Sequence, residues 1–222
     1  YNSYEPGKRY EYCNFNFNMI GTIIEKVSGE RFDAYIQNHI LNPLQLYGGY
    51  YVNGLDKSKF ATIYEYQPDA AKFVASPNAY APRTAEVAAY QMGYSAPIFS
   101  PTGGMKISAK DLATYMMMHA NYGKYNGIRI ISKKSSKMMQ TAVSDIEPYG
   151  FALETPATII DGKQVVGHTG SAYGLYSAMF FDPQEKFGIV VISNGCHPGE
   201  TSGYNNVIKK TVNALYENLI AK

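Results

Sequence analysis

Gln164-Val165-Val166-Gly167-His168-Thr169-Gly170-Ser171, followed by Ser177-Ala178-Met179-Phe180-Phe181 and Gly188-Ile189-Val190-Val191-Ile192, decides the architecture. These runs are short, rich in β-branched and aromatic residues, and bounded by turn formers. They predict strands at Gln164 to His168, Ser177 to Phe181 and Gly188 to Ile192. The link Asp182-Pro183-Gln184-Glu185-Lys186 is polar and too short for a crossover, so the last two strands are antiparallel. Upstream, Pro148-Tyr149-Gly150 marks a change of pattern, and Gly150 to Glu154 is expected as a further strand.

Helical periodicity surrounds this meander. On the C-terminal side a helix is expected from Tyr204 to the end, with Ile208, Val212, Leu215 and Leu219 as its apolar stripe. On the N-terminal side, Phe15, Met19, Ile23 and Val27 recur every fourth position and stop at Ser28-Gly29, which predicts an amphipathic helix. A second helix is expected from Arg31 to Ile40, burying Phe32, Ile36 and Ile40, and Asn42-Pro43 ends it because the residue before proline avoids the helical region. Ser108-Ala109-Lys110-Asp111 is a capping-box pattern leading a helix over Lys110 to Ala120, and a shorter one starts at Ser132. Between Pro43 and Ser100, many prolines, glycines and tyrosines break every period, so the stretch is expected to be irregular but packed, of the kind that lines clefts. Helices first, then a meander closed by a helix, implies an α+β fold with a mainly helical lobe over 1–142 and an antiparallel sheet lobe over 143–222.

Composition narrows the partners. The chain has 222 residues, 45% of them hydrophobic and 17% charged, enough for a real core. A net charge of +2 from scattered basic and acidic residues argues against nucleic acid as a partner. The apolar runs are strand-sized, far below the roughly 20 residues that span a bilayer, so no transmembrane segment is expected. No signal-peptide pattern is present, and a processed or truncated chain would read the same way. Cys13 and Cys196 lack the spacing of a disulfide framework or a metal site and are expected as free thiols. His39, His119 and His197 have no companion ligands and are expected to be structural, and Met116-Met117-Met118 reads as helix core and flank. No metal or cofactor is implied.

Two separated segments carry the chemistry. Pro6-Gly7-Lys8-Arg9-Tyr10-Glu11-Tyr12-Cys13-Asn14 runs directly into the first helix. Much later come Pro101-Thr102-Gly103-Gly104-Met105 and then Gly167-His168-Thr169-Gly170-Ser171 with the Asp182-Pro183 hairpin. In this order the three blocks resemble the class C β-lactamase family, which includes D-alanyl-D-alanine peptidases and esterases. The first resembles its Tyr-x-Asn region, the second its Gly-Gly turn, and the third its Lys-Thr-Gly strand in the His-Thr-Gly variant.

The resemblance implies a β-lactamase/DD-peptidase-like fold and acyl-enzyme hydrolysis of a β-lactam, a D-amino-acid peptide or an ester. Tyr12 would be the acid-base residue, since a phenol that titrates near about 10 in water can serve as a base beside a cationic lysine. Asn14 would orient that machinery and contact the substrate, or act only as a turn residue. Thr169 and His168 would bind substrate, His168 adding positive charge when protonated. Gly170 would let a ligand approach the backbone, and the N–H of Ser171 would supply half of an oxyanion hole. His168 in place of lysine puts penicillin hydrolysis in doubt.

The family's Ser-x-x-Lys nucleophile has no match anywhere in these 222 residues. The chain is therefore expected to be an N-terminally truncated piece, lacking the first strands and the nucleophile helix and inactive by itself. Its exposed sheet and helix surfaces would be covered by its own N-terminal piece or by a second copy. The alternative is a noncatalytic homologue that binds peptidoglycan-like peptides or penicillin. The resemblance also implies the periplasm or cell envelope.

Overall fold

The expected strands join into one antiparallel sheet in the computed structural model, which describes residues 3–5, 7–144 and 147–221. Pro6 of the first motif block and Lys222 at the expected end of the last helix lie outside the described residues. The strands are β1 (Glu154–Ala157), β2 (Val165–Ala172), β3 (Leu175–Asp182) and β4 (Phe187–Ser193), in the order β4-β3-β2-β1. Asp182 closes the β3–β4 link, its carboxylate accepting the N–H groups of Gln184 at 2.7 Å and Glu185 at 2.9 Å. A second turn, Tyr173-Gly174, joins β2 to β3 with φ of 54° and 87°, the left-handed pair that a two-residue hairpin demands.

Alternation along the strands gives the sheet two buried faces. Val165, Ala178, Phe180 and Ile189 pack on one side against Ile208 and Val212 of α5 (Asn206–Leu219). Val166 and Phe181 pack on the other against Met116 and Ala120 of α3 (Ala109–Ala120). Ser108 caps α3, accepting the Asp111 N–H at 3.1 Å as its capping box predicts. His119 sits inside the core on the α3 side, where burial pushes its pKa down to about 4. A short helix, α4 (Lys133–Met139), starts from Ser132.

Three expectations need correction. The expected first strand over Gly150 to Glu154 begins at Glu154 instead. Residues 149–153 form a tight turn, with the Gly150 N–H bonded to the Leu153 carbonyl at 2.7 Å and Ala152 at φ 61°. The second helix is α-helical only over Phe32–Ile36 (α2) and continues as a π turn over Gln37–Leu41, which turns Leu41 into the core. The stretch after Pro43 is irregular but contains a hairpin, Tyr64–Gln67 with Lys72–Ala75, that alternation among its tyrosines did not reveal. The hairpin is anchored at the end of the sheet by the Tyr64 N–H on the Asn194 carbonyl at 2.7 Å.

Helix α1 (Asn14–Ser28) has the exposed surface expected of a truncated piece. The helix forms and ends at Gly29, φ 73°, as expected. Its apolar stripe does not pack: Phe15 is 61% exposed, Ile23 52% and Val27 82%. What α1 buries is Gly21 and Glu25. Gly21 meets the Gly-Gly block, where an added Cβ would stand 2.5 Å from Pro101 Cγ. In α5 the stripe buries Ile208 and Val212, while Leu219 is 72% exposed at the helix end.

Candidate active site

The two motif segments meet. Tyr12 stands in extended backbone just before α1, and its ring centroid lies 6.0 Å from that of His168 on β2. Tyr149, from the turn ahead of β1, completes the group at 5.9 Å from Tyr12 and 5.7 Å from His168, edge-on to both. Tyr10 packs on Tyr149 at 5.3 Å. Asn14 opens α1 and is exposed.

Pairing geometry explains what β2 offers. The turn Tyr173-Gly174 closes on the pair Ala172 and Leu175. Ladder bonds to β3 therefore come from Ala172, Gly170 and His168, while the N–H and C=O of Thr169 and Ser171 point to the opposite edge. On that edge β1 pairs only with Val165 and Gly167. Beyond Gly167 no strand pairs with that edge among the described residues, which leaves the Ser171 N–H without a ladder partner there. This is the arrangement expected of an oxyanion donor and of a strand that can accept an extended ligand.

Side chains alternate, so His168 and Gly170 face the α3 side and Thr169 and Ser171 the α5 side. Gly170 has a reason to be glycine that sequence did not reveal, since an added Cβ would stand 2.5 Å from Ser177 Oγ across the ladder. His168 Nδ1 lies 2.5 Å from the Thr169 carbonyl oxygen. A carbonyl only accepts, so Nδ1 carries the proton and Nε2 remains available to a ligand, as an acceptor when neutral and a donor when charged.

Electrostatics around the phenols runs one way. Burial raises the pKa of Tyr12, and burial with neighbouring phenols and carboxylates raises those of Tyr10 and Tyr149. No cation counters this at Tyr12, so the lowering anticipated for a base is absent within these residues. Glu154 on β1 is also raised by burial, accepts a hydrogen bond from the Tyr204 hydroxyl, and feels the charge of His168. A cavity of about 590 Å³ runs between Arg9, Tyr10, Tyr12, Tyr149 and Glu154.

Sequence reasoning placed Tyr12, Asn14, His168, Thr169, Gly170 and Ser171 at the site and missed Tyr149 and Glu154. The available signal was the Pro148-Tyr149-Gly150 break, read only as a boundary. Tyr94 and Tyr173 are exposed, Tyr94 beneath the Lys26 ammonium at 4.2 Å. Cys13 is exposed and Cys196 buried, both as free thiols.

Comparison with known proteins gives the same frame. Residues 2–212 match the family model described as Beta-lactamase. Protein flp of Staphylococcus aureus strain MW2 is 26% identical over 203 residues, covering 86% of this chain and 34% of that protein. A putative D-alanyl-D-alanine carboxypeptidase of Escherichia coli O157:H7 is 26% identical over 216 residues, covering 87% of this chain and 47% of that protein. The octameric penicillin-binding protein homologue from Pyrococcus abyssi superposes with a TM-score of 0.70 at 26% identity, covering 96% of this chain and 44% of that one. The chain thus spans less than half the length of these relatives.

Proposed function

The chain belongs to the Beta-lactamase family of serine hydrolases, and from that premise we propose that it supplies the base side and the substrate-binding strand of an acyl-enzyme site. The substrate class is a D-configured peptide, a β-lactam or an ester. The D-alanyl-D-alanine carboxypeptidase named among the relatives favours the peptide. In this reading Tyr12 transfers the proton, and His168 Nε2 and the open edge of Thr169 hold the substrate. The Ser171 N–H receives the developing oxyanion, and Asn14 orients the substrate. The serine and lysine come from residues other than these 222, so this stretch alone is inactive. A cation brought near Tyr12 by that partner would reverse the burial effect on the phenol.

The observation that carries the proposal is the Tyr12 ring lying 6.0 Å from that of His168, on a strand whose far edge is unpaired beyond Gly167 among the described residues. The exposed stripe of α1 and the outer edge of β4, which has no neighbouring strand among the described residues, support a covering segment from the same protein or a second copy. Work in the cell envelope accords with such substrates.

Fluorescent penicillin labelling and D-alanyl-D-alanine peptide hydrolysis, both on the intact protein carrying this chain, test the proposal. Tyr12→Phe is expected to slow acylation at least about a hundredfold with the fold retained. Unchanged acylation in that variant, or turnover by the 222-residue chain alone, would sink it. One other reading is a noncatalytic binder, which a lack of Ser-x-x-Lys in the intact protein would select. Saturable penicillin binding by the intact protein without a covalent adduct selects that reading.

A further inference from the structure

On the far side of the Pro148-Tyr149-Gly150 turn, α4 presents an unusual surface. Lys133, Lys137 and Lys186 converge on the ring of Tyr122, with ammonium groups 5.9, 5.5 and 5.1 Å from its centroid. Arg129 holds the same loop by donating to the carbonyls of Tyr122 at 3.1 Å and Ile131 at 3.0 Å. None of these four cations, nor Lys134, forms an ion pair among the described residues, although acidic residues pair with lysines elsewhere on the molecule. Like charges held this close repel one another unless an anion accompanies them.

Lys134 and Lys137 also rim a shallow cavity of about 460 Å³ whose floor is Met138, Thr141, Val143 and Phe151. Met138, Val143 and Phe151 are each about half exposed. The patch therefore has a cationic rim and an apolar centre. A soluble polyanion would use the rim and gain nothing from the centre. An anionic bilayer uses both, phosphate headgroups meeting the lysines while the three apolar side chains enter the interface.

We propose that this face, formed by α4 with Tyr122, Lys186 and Phe151, is a docking surface for an anionic phospholipid membrane. It is structurally continuous with the cleft, because the Val143 N–H bonds the carbonyl of Tyr149 at 3.0 Å. Docking here would hold the Tyr149 wall close to the headgroup plane without using any residue of the cleft. The attraction depends on charge, whereas the exposed stripe of α1 would adhere to any lipid.

Co-sedimentation of the intact protein with vesicles tests this, comparing pure phosphatidylcholine with an equal mixture of phosphatidylcholine and phosphatidylglycerol. Binding is expected only to the mixed vesicles and is expected to weaken as salt is raised. The double variant K134E/K137E should bind at least about tenfold more weakly. M138S/F151S should bind the mixed vesicles about threefold or more weakly with its charge unchanged. Equal binding to neutral vesicles, or no loss in K134E/K137E, overturns the proposal. So does inorganic polyphosphate capturing wild type and M138S/F151S alike while the mixed vesicles do not distinguish them, which would assign the face to a soluble polyanion.

Discussion

Helices α1 and α5 carry equally regular apolar stripes, yet α5 inserts Ile208 and Val212 into the sheet core while α1 holds Phe15, Ile23 and Val27 out in solvent. The two differ in what lies opposite. The α5 stripe meets a sheet face built by residues 157–191 of the same chain. The α1 stripe stays largely exposed, while the other side of the helix is fixed by Gly21 against Pro101 and by Glu25. Periodicity thus reports that a face is suited to burial, and only the neighbouring elements decide whether burial occurs.

The contrast breaks most sharply under truncation of each stripe. Ile208→Ala is expected to destabilise this chain by about 3 kcal/mol in urea unfolding, because the methylene groups it loses are fully buried and leave a cavity. Val27→Ser, at a position 82% exposed, should change stability by no more than about 0.5 kcal/mol. A loss above about 1 kcal/mol at Val27 in the isolated chain would mean that its face is covered there. The same substitution in the longer protein sharpens the comparison, since a covered stripe would make Val27 behave like Ile208.

Legibility from sequence followed the same division. The β2–β3–β4 meander, the Ser108 cap of α3 and the stop at Gly29 rest on contacts within a few residues, and each was readable. The two motifs that the structure brings together were readable, because Tyr12 and the His168 to Ser171 strand each lie in contiguous residues. Tyr149 and Glu154 were not, since they join the group through partners far along the chain, Tyr149 through Tyr12 and Glu154 through Tyr204. Glu25 looked like one more polar residue on an amphipathic helix. Its role depends on partners as far along the chain as Tyr90 and Gly93.

α3 offers an intermediate case, a buried face that includes an imidazole. His119 has a folded-state pKa of about 4, below its ordinary 6.5. The unfolded chain therefore takes up a proton first as pH falls. The stabilising contribution of neutral His119 is complete above about pH 6.5 and declines toward pH 4, by up to ~3 kcal/mol. His119→Phe, packed between Tyr115 and Phe181, should flatten the stability profile across that window. Parallel profiles for the two proteins would show that His119 is hydrated rather than part of the α3 core.

A further effect concerns the polar side by which α1 is held. Glu25 Oε1 accepts the Phe32 N–H at 2.8 Å and the Tyr90 hydroxyl, and Oε2 accepts the Gly93 N–H at 2.7 Å. Burial, followed by this hydrogen bond to Glu25, holds the Tyr90 phenol well above its usual value. In Glu25→Gln the oxygen can keep Phe32 and Tyr90, but the new amide then points a donor at the Gly93 N–H. The Gly93 N–H and the amide N–H facing it are both left unpaired, at a cost of about 2 kcal/mol. Hydrogen exchange should locate the loss, with the Gly93 amide losing protection while that of Phe32 keeps it. If both amides stay protected and stability is unchanged, α1 is held by Gly21 and Pro101 alone. The segment ahead of it that carries Tyr12 would then owe its position to small-residue packing and not to the buried carboxylate.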